Sequence, residues 1–236
     1  MKNSSNELYT SGKYLQNKPT WDVEDSEWKA KMIYDLYKKN KLAPKRVTEV
    51  GCGAGAILEE LSIKDSNIET LDGYDISPQA ISLAKQRENN KLKFYNQDFI
   101  SGEYAHPDLL LVIDVLEHVD DYYNFLRNLR DKSSFFIFHI PLDLSCRTIL
   151  KPHILLQQRD TVGHIHYFSE EMVYWFLKDI GFEIIDWHYT KPVTDMITRI
   201  TFKRRIKKFL RNISFAINKP LSVKLWGSYS MLILAR

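Results

Sequence analysis

Apolar residues along this chain keep two rhythms in alternation, a helical spacing and short β-type runs. From Trp21 onward, Trp28, Met32, Ile33, Leu36 and Tyr37 fall at helical intervals. Asp22, Glu24, Asp25 and Glu27 precede them and Lys38, Lys39 and Lys41 follow, the charge order that complements a helix dipole. Pro44 closes the connection, and a first strand begins near Arg46 and runs through Val47, Thr48 and Glu49 to Val50. Ile57, Leu58 and Leu61 then predict a helix, Ile68–Asp75 a strand, and Ser77-Pro78 the capped start of a helix carrying Ala80, Ile81, Leu83 and Ala84. Leu92–Asn96 reads as a third strand. Leu109–Ile113, apolar at every position, reads as a fourth strand buried on both faces. A helix over Tyr122–Leu129 and a strand over Phe135–Phe138, ending at His139, complete the alternation. Such spacing predicts an α/β fold with a parallel, doubly wound sheet.

Beyond His139 the rhythm changes. Leu142–Asp160 is a longer connection with helical hints at Ile149, Ile154 and Leu155, on the side where the strands end, where it can cover a substrate. Ser169–Leu177 predicts an amphipathic helix stopped by Gly181, and Phe182–Trp187 and Tyr229–Leu234 predict two closing strands in an antiparallel, hairpin-like edge. Residues 1–20 are polar and aperiodic, a mobile arm or lid, which leaves 21–236 as one domain.

Composition adds little until charge is divided along the chain. With 236 residues, 44% hydrophobic and 27% charged, no run of 18 apolar residues and no signal pattern at Met1–Ser4, the expectation is a cytoplasmic protein. Cys52 and Cys146 form neither a disulfide framework nor a metal cluster. The net charge of +3 hides an asymmetry, because no acid follows Asp195 while ten basic residues do. Taking those ten from the 33 basic residues leaves 23 against 30 acids in the first 195. The basic positions concentrate in a helical insertion at about 199–220, densest over Lys203–Arg211, where Ile206, Phe209, Leu210, Ile213 and Ile217 share one apolar face. Two readings follow. Either that face packs on the sheet and the cationic face is solvated, or the helix meets an anionic membrane surface or a phosphate-bearing, lipid-linked substrate. A nucleic-acid partner is not expected, since the rest of the chain is net acidic and carries no such motif.

The chemistry centres on the turn after the first strand. Gly51, Gly53 and Gly55 alternate with Cys52 and Ala54, so the turn can take positive φ and lie flush against a ligand. Glu49 beside it disfavours a pyrophosphate and favours a cation or a hydrogen-bond donor. Acids recur at the next strand ends, Asp75, Asp98 and Asp114, where ligands of an open parallel sheet bind.

Glu49–Gly55, Gly73–Ser77, Gln97-Asp98-Phe99 and Asp114–Val119 resemble, in order and spacing over roughly residues 45–190, the successive motifs of class I S-adenosylmethionine-dependent methyltransferases. The resemblance implies a Rossmann-like, seven-stranded sheet in the order 3-2-1-4-5-7-6 with the last strand antiparallel. It implies that Glu49 and the Gly51-Cys52-Gly53-Ala54-Gly55 backbone face the methionine portion, that Asp75 beside Ile76 takes the ribose hydroxyls, and that Asp98 with Phe99 takes the adenine. Asp114, Val115 and Leu116 would line the cofactor near its sulfonium. Methyl transfer to an oxygen, less readily a nitrogen, of a small molecule or of a glycan or lipid-linked intermediate is the activity implied. A nicotinamide dinucleotide is the rival, because Gly51, Gly53 and Ala56 also fit the G-x-G-x-x-G/A pattern and Asp75 would serve its ribose. A domain that binds the methyl donor without catalysis is a third reading. No Gly-Lys-Ser/Thr ending supports a P-loop.

Histidines supply the catalytic candidates, since imidazole titrates near neutrality. His118 and His166 are the first choices for a base or a substrate-orienting group, His139 is a weaker one, and His164 lies on the same predicted side. No metal is expected; a site assembled from His139, Asp143 and His166 is conceivable, but no ligand-spacing motif supports it.

Overall fold

The computed structural model describes Tyr9 and residues 11–102, 104–195 and 202–236. The positions of residues 1–8 and 10 in the expected arm, and of 199–201 in the expected basic insertion, lie outside the described residues. Seven strands form one sheet in the order β3-β2-β1-β4-β5-β7-β6. They are β1 (Arg46–Val50), β2 (Thr70–Asp75), β3 (Leu92–Asn96), β4 (Leu109–Ile113), β5 (Phe135–Leu142), β6 (Ile184–Thr190) and β7 (Tyr229–Ala235). The first five pair in parallel, and β7 is inserted antiparallel to both β5 and β6. The expected fold class and strand order are thus found, with the two closing strands antiparallel, β7 interior and β6 at the edge.

The helices are α1 (Lys13–Asn17), α2 (Ser26–Lys39), α3 (Ala56–Lys64), α4 (Pro78–Ala84), α5 (Tyr122–Leu129), α6 (Cys146–Leu150), α7 (His153–Val162), α8 (Glu170–Ile180), α9 (Pro192–Asp195), α10 (Phe202–Ile217) and α11 (Lys219–Trp226). Two apolar layers cover the sheet. Helices α2, α3 and α4 bury Ala30, Ile33, Leu36, Leu58, Leu61 and Ile81 on one face, and α5 and α8 bury Leu126, Leu129, Val173, Phe176 and Leu177 on the other. β4 is buried at all five positions because both layers close over it, which is why it lacks polar alternation.

Local chemistry sets the boundaries. Ser77 caps α4 by accepting from the Ala80 N–H, with Pro78 at the first helical position. Ser169 caps α8, which ends at Gly181 in the left-handed region. The expected boundary at Phe182 shifts, because Phe182 is buried against Phe136 and Phe138 and the strand starts at Ile184. The long connection after β5 folds into α6 and α7, beyond the strand ends. Helix α1, within the described part of the arm, rests near α7, with Asn17 donating to the Thr161 carbonyl at 3.2 Å. Its short neighbour, the segment through Trp21 and Asp22, takes positive φ at both residues before α2 begins.

Candidate active site

β1 delivers Glu49 and stops at Val50, between Tyr74 of β2 and Val112 of β4. The turn that follows is therefore held between the ends of the two neighbouring strands, and the Gly51 N–H donates to the Tyr74 carbonyl at 2.8 Å. Gly51, Gly53 and Gly55 have φ of +74°, +54° and +78°. At Gly53 two constraints coincide: the backbone is left-handed, and an added Cβ would lie 2.7 Å from the Trp21 indole. Asp75, closing β2, accepts the Gly53 N–H at 2.9 Å and the Ser77 N–H at 2.8 Å, one on each oxygen. Burial pushes its carboxyl up against those two bonds. Each oxygen keeps a further lone pair, so the carboxylate braces the turn and can still accept from vicinal hydroxyls.

Two adjoining cavities open here. The first, about 450 Å³, is lined by Gly51, Asp75, Ile76, Asp98, Phe99 and Val115, with Tyr9, Tyr14 and Trp21 across from them. The second, about 500 Å³, is lined by Glu49, the whole Gly51–Gly55 turn including Cys52, Lys29, Glu117, His139, Asp143 and His164. Tyr14, Trp21, Gly51, Asp114 and His118 border both, so they form the partition.

At the partition lies a half-buried ion network. Lys29 of α2 bridges Asp25 and Asp114, each at 2.8 Å, and His139 Nδ1 approaches the other Asp114 oxygen at 2.6 Å while its Nε2 meets the Thr190 hydroxyl at 2.8 Å. Burial alone would push Asp114 up; His139 and Lys29 outweigh it and hold the carboxyl well below the usual carboxylate range. Lys29 is likewise held protonated against burial by Asp114 and Asp25. Asp114 itself has φ +53°, a conformation short polar side chains tolerate. Glu49 has no such relief. It is 1% exposed, one carboxylate oxygen has no partner among the described residues, and burial, with Asp75 and Asp114 adding to it against Lys29, pushes its pKa well up.

The second cavity gathers a further group. His118 Nδ1 lies 2.8 Å from the Tyr9 hydroxyl and 3.1 Å from the Gly163 carbonyl. Because that carbonyl can only accept, and the Tyr9 hydroxyl already donates to the Val162 carbonyl, Nδ1 carries the proton. His164 Nδ1 meets an Asp143 carboxylate oxygen at 2.8 Å and is fixed in the same tautomer. Both Nε2 lone pairs then converge on Glu117, at 3.8 and 4.0 Å from one oxygen. Glu117 is 1% exposed, its other oxygen has no partner among the described residues, and burial followed by the Asp114 charge raises its pKa well above the carboxylate range. Burial followed by His164 lowers His118 to about 4. These three residues offer electron-pair donor atoms within 4.8 Å of one another, close enough to share a proton or a cation.

The expected site residues divide accordingly. Glu49, Gly51, Cys52, Gly53, Gly55, Asp75, Ile76, Asp98, Phe99, Asp114 and Val115 all line one cavity or both. Phe99 is nevertheless 2% exposed and stacked on Tyr104, so it presents only part of its ring, and exposed Asp98 spends one oxygen on the Ile100 N–H. Leu116 belongs to the core and lines neither cavity. His118 and His139 reach the second cavity. His166 does not: its Nε2 contacts the Val119 and Asp120 carbonyls and its ring packs on Tyr122 and Phe168, fastening the loop after Glu117. Its neighbour His164 takes the position expected of it, and among the described residues Glu117, His118 and His164, rather than His139, Asp143 and His166, stand close enough together to hold a metal. Lys29 went unnoticed although it stands in register with Ile33 and Leu36 on the buried stripe of α2, where a cation signals a paired charge.

A family model described as a methyltransferase domain matches residues 25–186, well over half of the chain, and the chain belongs to that family. This sets aside the nicotinamide oxidoreductase reading. The chain is also similar to a ubiquinone biosynthesis O-methyltransferase of Thiobacillus denitrificans, 33% identical over 86 residues that cover 34% of this chain and 36% of that protein. The match spans little more than a third of that relative's length. Among solved structures, magnesium protoporphyrin IX methyltransferase from Synechocystis PCC 6803 with bound S-adenosylhomocysteine superposes with a TM-score of 0.59 at 18% identity, covering 89% of this chain and 82% of that one. The plantazolicin methyltransferase BpumL, in complex with the same product, gives 0.57 at 17% identity, covering 100% and 95%.

Proposed function

We propose that the protein transfers a methyl group from S-adenosylmethionine to an oxygen of a small-molecule or glycan acceptor. The observation that carries this reading is the set of buried carboxylates around the glycine turn, among them the unpartnered oxygens of Glu49 and Glu117. A sulfonium donor with its ammonium group is cationic and suits such a wall, whereas a pyrophosphate would be repelled. In this reading the first cavity takes the adenosine, with Asp75 on the ribose, and the methionine portion runs past Gly51 and Asp114 toward the second cavity. The methyl group then faces Glu117 and His118. Tyr9, Tyr14 and Trp21 close over the donor as a cover.

The donor brings its own leaving group, so the chain's main work is orientation. An acceptor oxygen lone pair forms the C–O bond, the C–S electrons return to sulfur, and the hydroxyl proton passes to a base. Glu117, whose carboxylate stands beside His118, is the group placed to receive it, and His118, neutral near pH 7, orients the hydroxyl. The convergence of Glu117, His118 and His164 supports a second reading of the same step, in which a divalent cation held there lowers the acceptor's pKa.

Incubation with methyl-labelled S-adenosylmethionine and a panel of phenols, sugar hydroxyls and amines tests the assignment. Labelled ethers are expected, in yields that fall on chelation if the cation reading holds. Exclusive N-methylation would overturn the oxygen assignment, and absence of transfer to any acceptor would leave donor binding without catalysis.

A further inference from the structure

Helix α10 is oriented opposite to a core helix. Its inward side is Lys208, Arg211, Ser214 and Phe215, and its apolar stripe, Ile206, Phe209, Leu210, Ile213 and Ile217, faces water, with Phe209 63% and Ile217 80% exposed. The orientation is fastened by polar contacts. Buried Arg211 donates to the Gly227 and Ser228 carbonyls at 2.6 and 3.3 Å and lies over the Tyr229 ring at 4.7 Å, while Trp226 Nε1 donates to the Ser214 hydroxyl at 3.0 Å. Turning the stripe inward would break all of these. Of the two sequence expectations for this segment, packing of the apolar face on the sheet is therefore the one the structure contradicts.

The outward face has a definite chemistry. At 3.6 residues per turn, exposed Arg205 and Lys207 fall on either side of the stripe. Helix α11 packs back on α10 and adds exposed Leu221 and Leu225. No acid occurs anywhere after Asp195. A second copy of the chain would set cation against cation across this face, and a nucleic acid would meet the charges but leave the stripe in water. An apolar stripe edged by cations matches the surface of an anionic bilayer, where apolar side chains enter the acyl boundary and basic ones snorkel to the phosphates. Among the described residues no helix is long and apolar enough to cross a membrane, so the contact would be peripheral.

We propose that α10 and α11 form a docking face for the anionic surface of a lipid bilayer. On the opposite, inward side of α10, Arg211 holds the carbonyl of Ser228, which lines the second cavity, so the helix lies between that cavity and the docking face. The proposal does not depend on the donor or on the acceptor.

Flotation of the full chain with phosphatidylcholine vesicles, with and without phosphatidylglycerol, is the test, with melting temperature and circular dichroism as folding checks. The wild type should float only with the anionic vesicles and should be released by salt. The pair Phe209→Asp and Ile213→Asp should weaken binding about tenfold or more, as should Arg205→Glu with Lys207→Glu, and both variants should melt like the wild type. The proposal is overturned if the wild type stays with the unbound protein, or if folded Phe209→Asp/Ile213→Asp floats unchanged. A concentration-dependent dimer that this same variant dissolves would also overturn it, assigning the face to a second copy.

Discussion

The two cavities are separated by a few side chains and built in different ways. The first is drawn from consecutive strand ends: the turn after β1, Asp75 after β2, Asp98 after β3 and Asp114 after β4. The second collects Lys29 from α2, Glu117 and His118 from the turn after β4, Asp143 after β5, His164 after α7 and Ser228 before β7. A donor common to a whole fold can be held by backbone turns and strand termini that the topology always brings together. An acceptor varies between proteins, so its walls come from segments the topology leaves free to vary.

That contrast can be tested by perturbing each side separately, beginning with the largest effect. Glu117→Gln keeps the shape of the second cavity and removes its base, and should lower kcat about a thousandfold while binding of S-adenosylhomocysteine stays within about twofold. A parallel loss of product affinity would merge the two cavities into one functional unit. Asp114 sits on the partition, and Asp114→Ala leaves Lys29 with a single carboxylate and places alanine at positive φ. Urea denaturation should register a loss of about 3 kcal/mol, with Asp114→Asn losing less.

Acid should act on the second cavity through His118. Its folded pKa is lowered from 6.5 to about 4, so the unfolded chain binds a proton over that interval that the folded chain refuses. The stabilisation is complete above pH 6.5 and disappears as pH falls toward 4, about 2 kcal/mol of it between pH 7 and 5. Glu117 works with the opposite sign: its raised folded pKa favours the native state at low pH and costs stability as pH rises through the range where an unfolded glutamate ionises. The His118 contribution is therefore read as the difference between the wild type and His118→Gln, whose stability should decline less from pH 7 to 5. Equal declines would mean that His118 is protonated in the folded protein. Gly53→Ala is the mildest change, about 1 kcal/mol of backbone strain, and displacement of Trp21 should make the donor site weaker without moving kcat at saturating donor.

The same division decides what the sequence could disclose. Five parallel strands were legible because each is a short β-rich run with a glycine turn, a capped helix or an acid after it, and β3 and β4 start and end where the pattern places them. The positions proposed for donor contact follow the same rule, since Asp75 and Asp114 need only the strand they terminate. Phe99 and Leu116 were less so: the motif fixes their position along the chain, but Tyr104 and the surrounding core decide how much of each reaches the cavity. The pair His164 and His166 is the sharpest case. Two residues apart in one loop, they point to different places, because the Asp143 carboxylate draws one inward and the Val119 and Asp120 carbonyls hold the other outside. Spacing alone has no access to partners 21 and 47 residues away. The outward stripe of α10 was hidden for a similar reason, since periodicity defines an apolar face and only Arg211 and its carbonyl partners determine which way it turns.

The central claim is that the first cavity, braced by Asp75, holds the adenosine of a methyl donor whose sulfonium end runs toward the carboxylates of the second. Isothermal calorimetry with S-adenosylmethionine, S-adenosylhomocysteine and NAD, on the wild type and on Asp75→Ala, tests it most directly. Saturable binding of the first two and not of NAD is expected, weakened about a hundredfold in Asp75→Ala by loss of charge-assisted hydrogen bonds. Binding of NAD alone, or undiminished S-adenosylhomocysteine affinity in a folded Asp75→Ala protein, would contradict it.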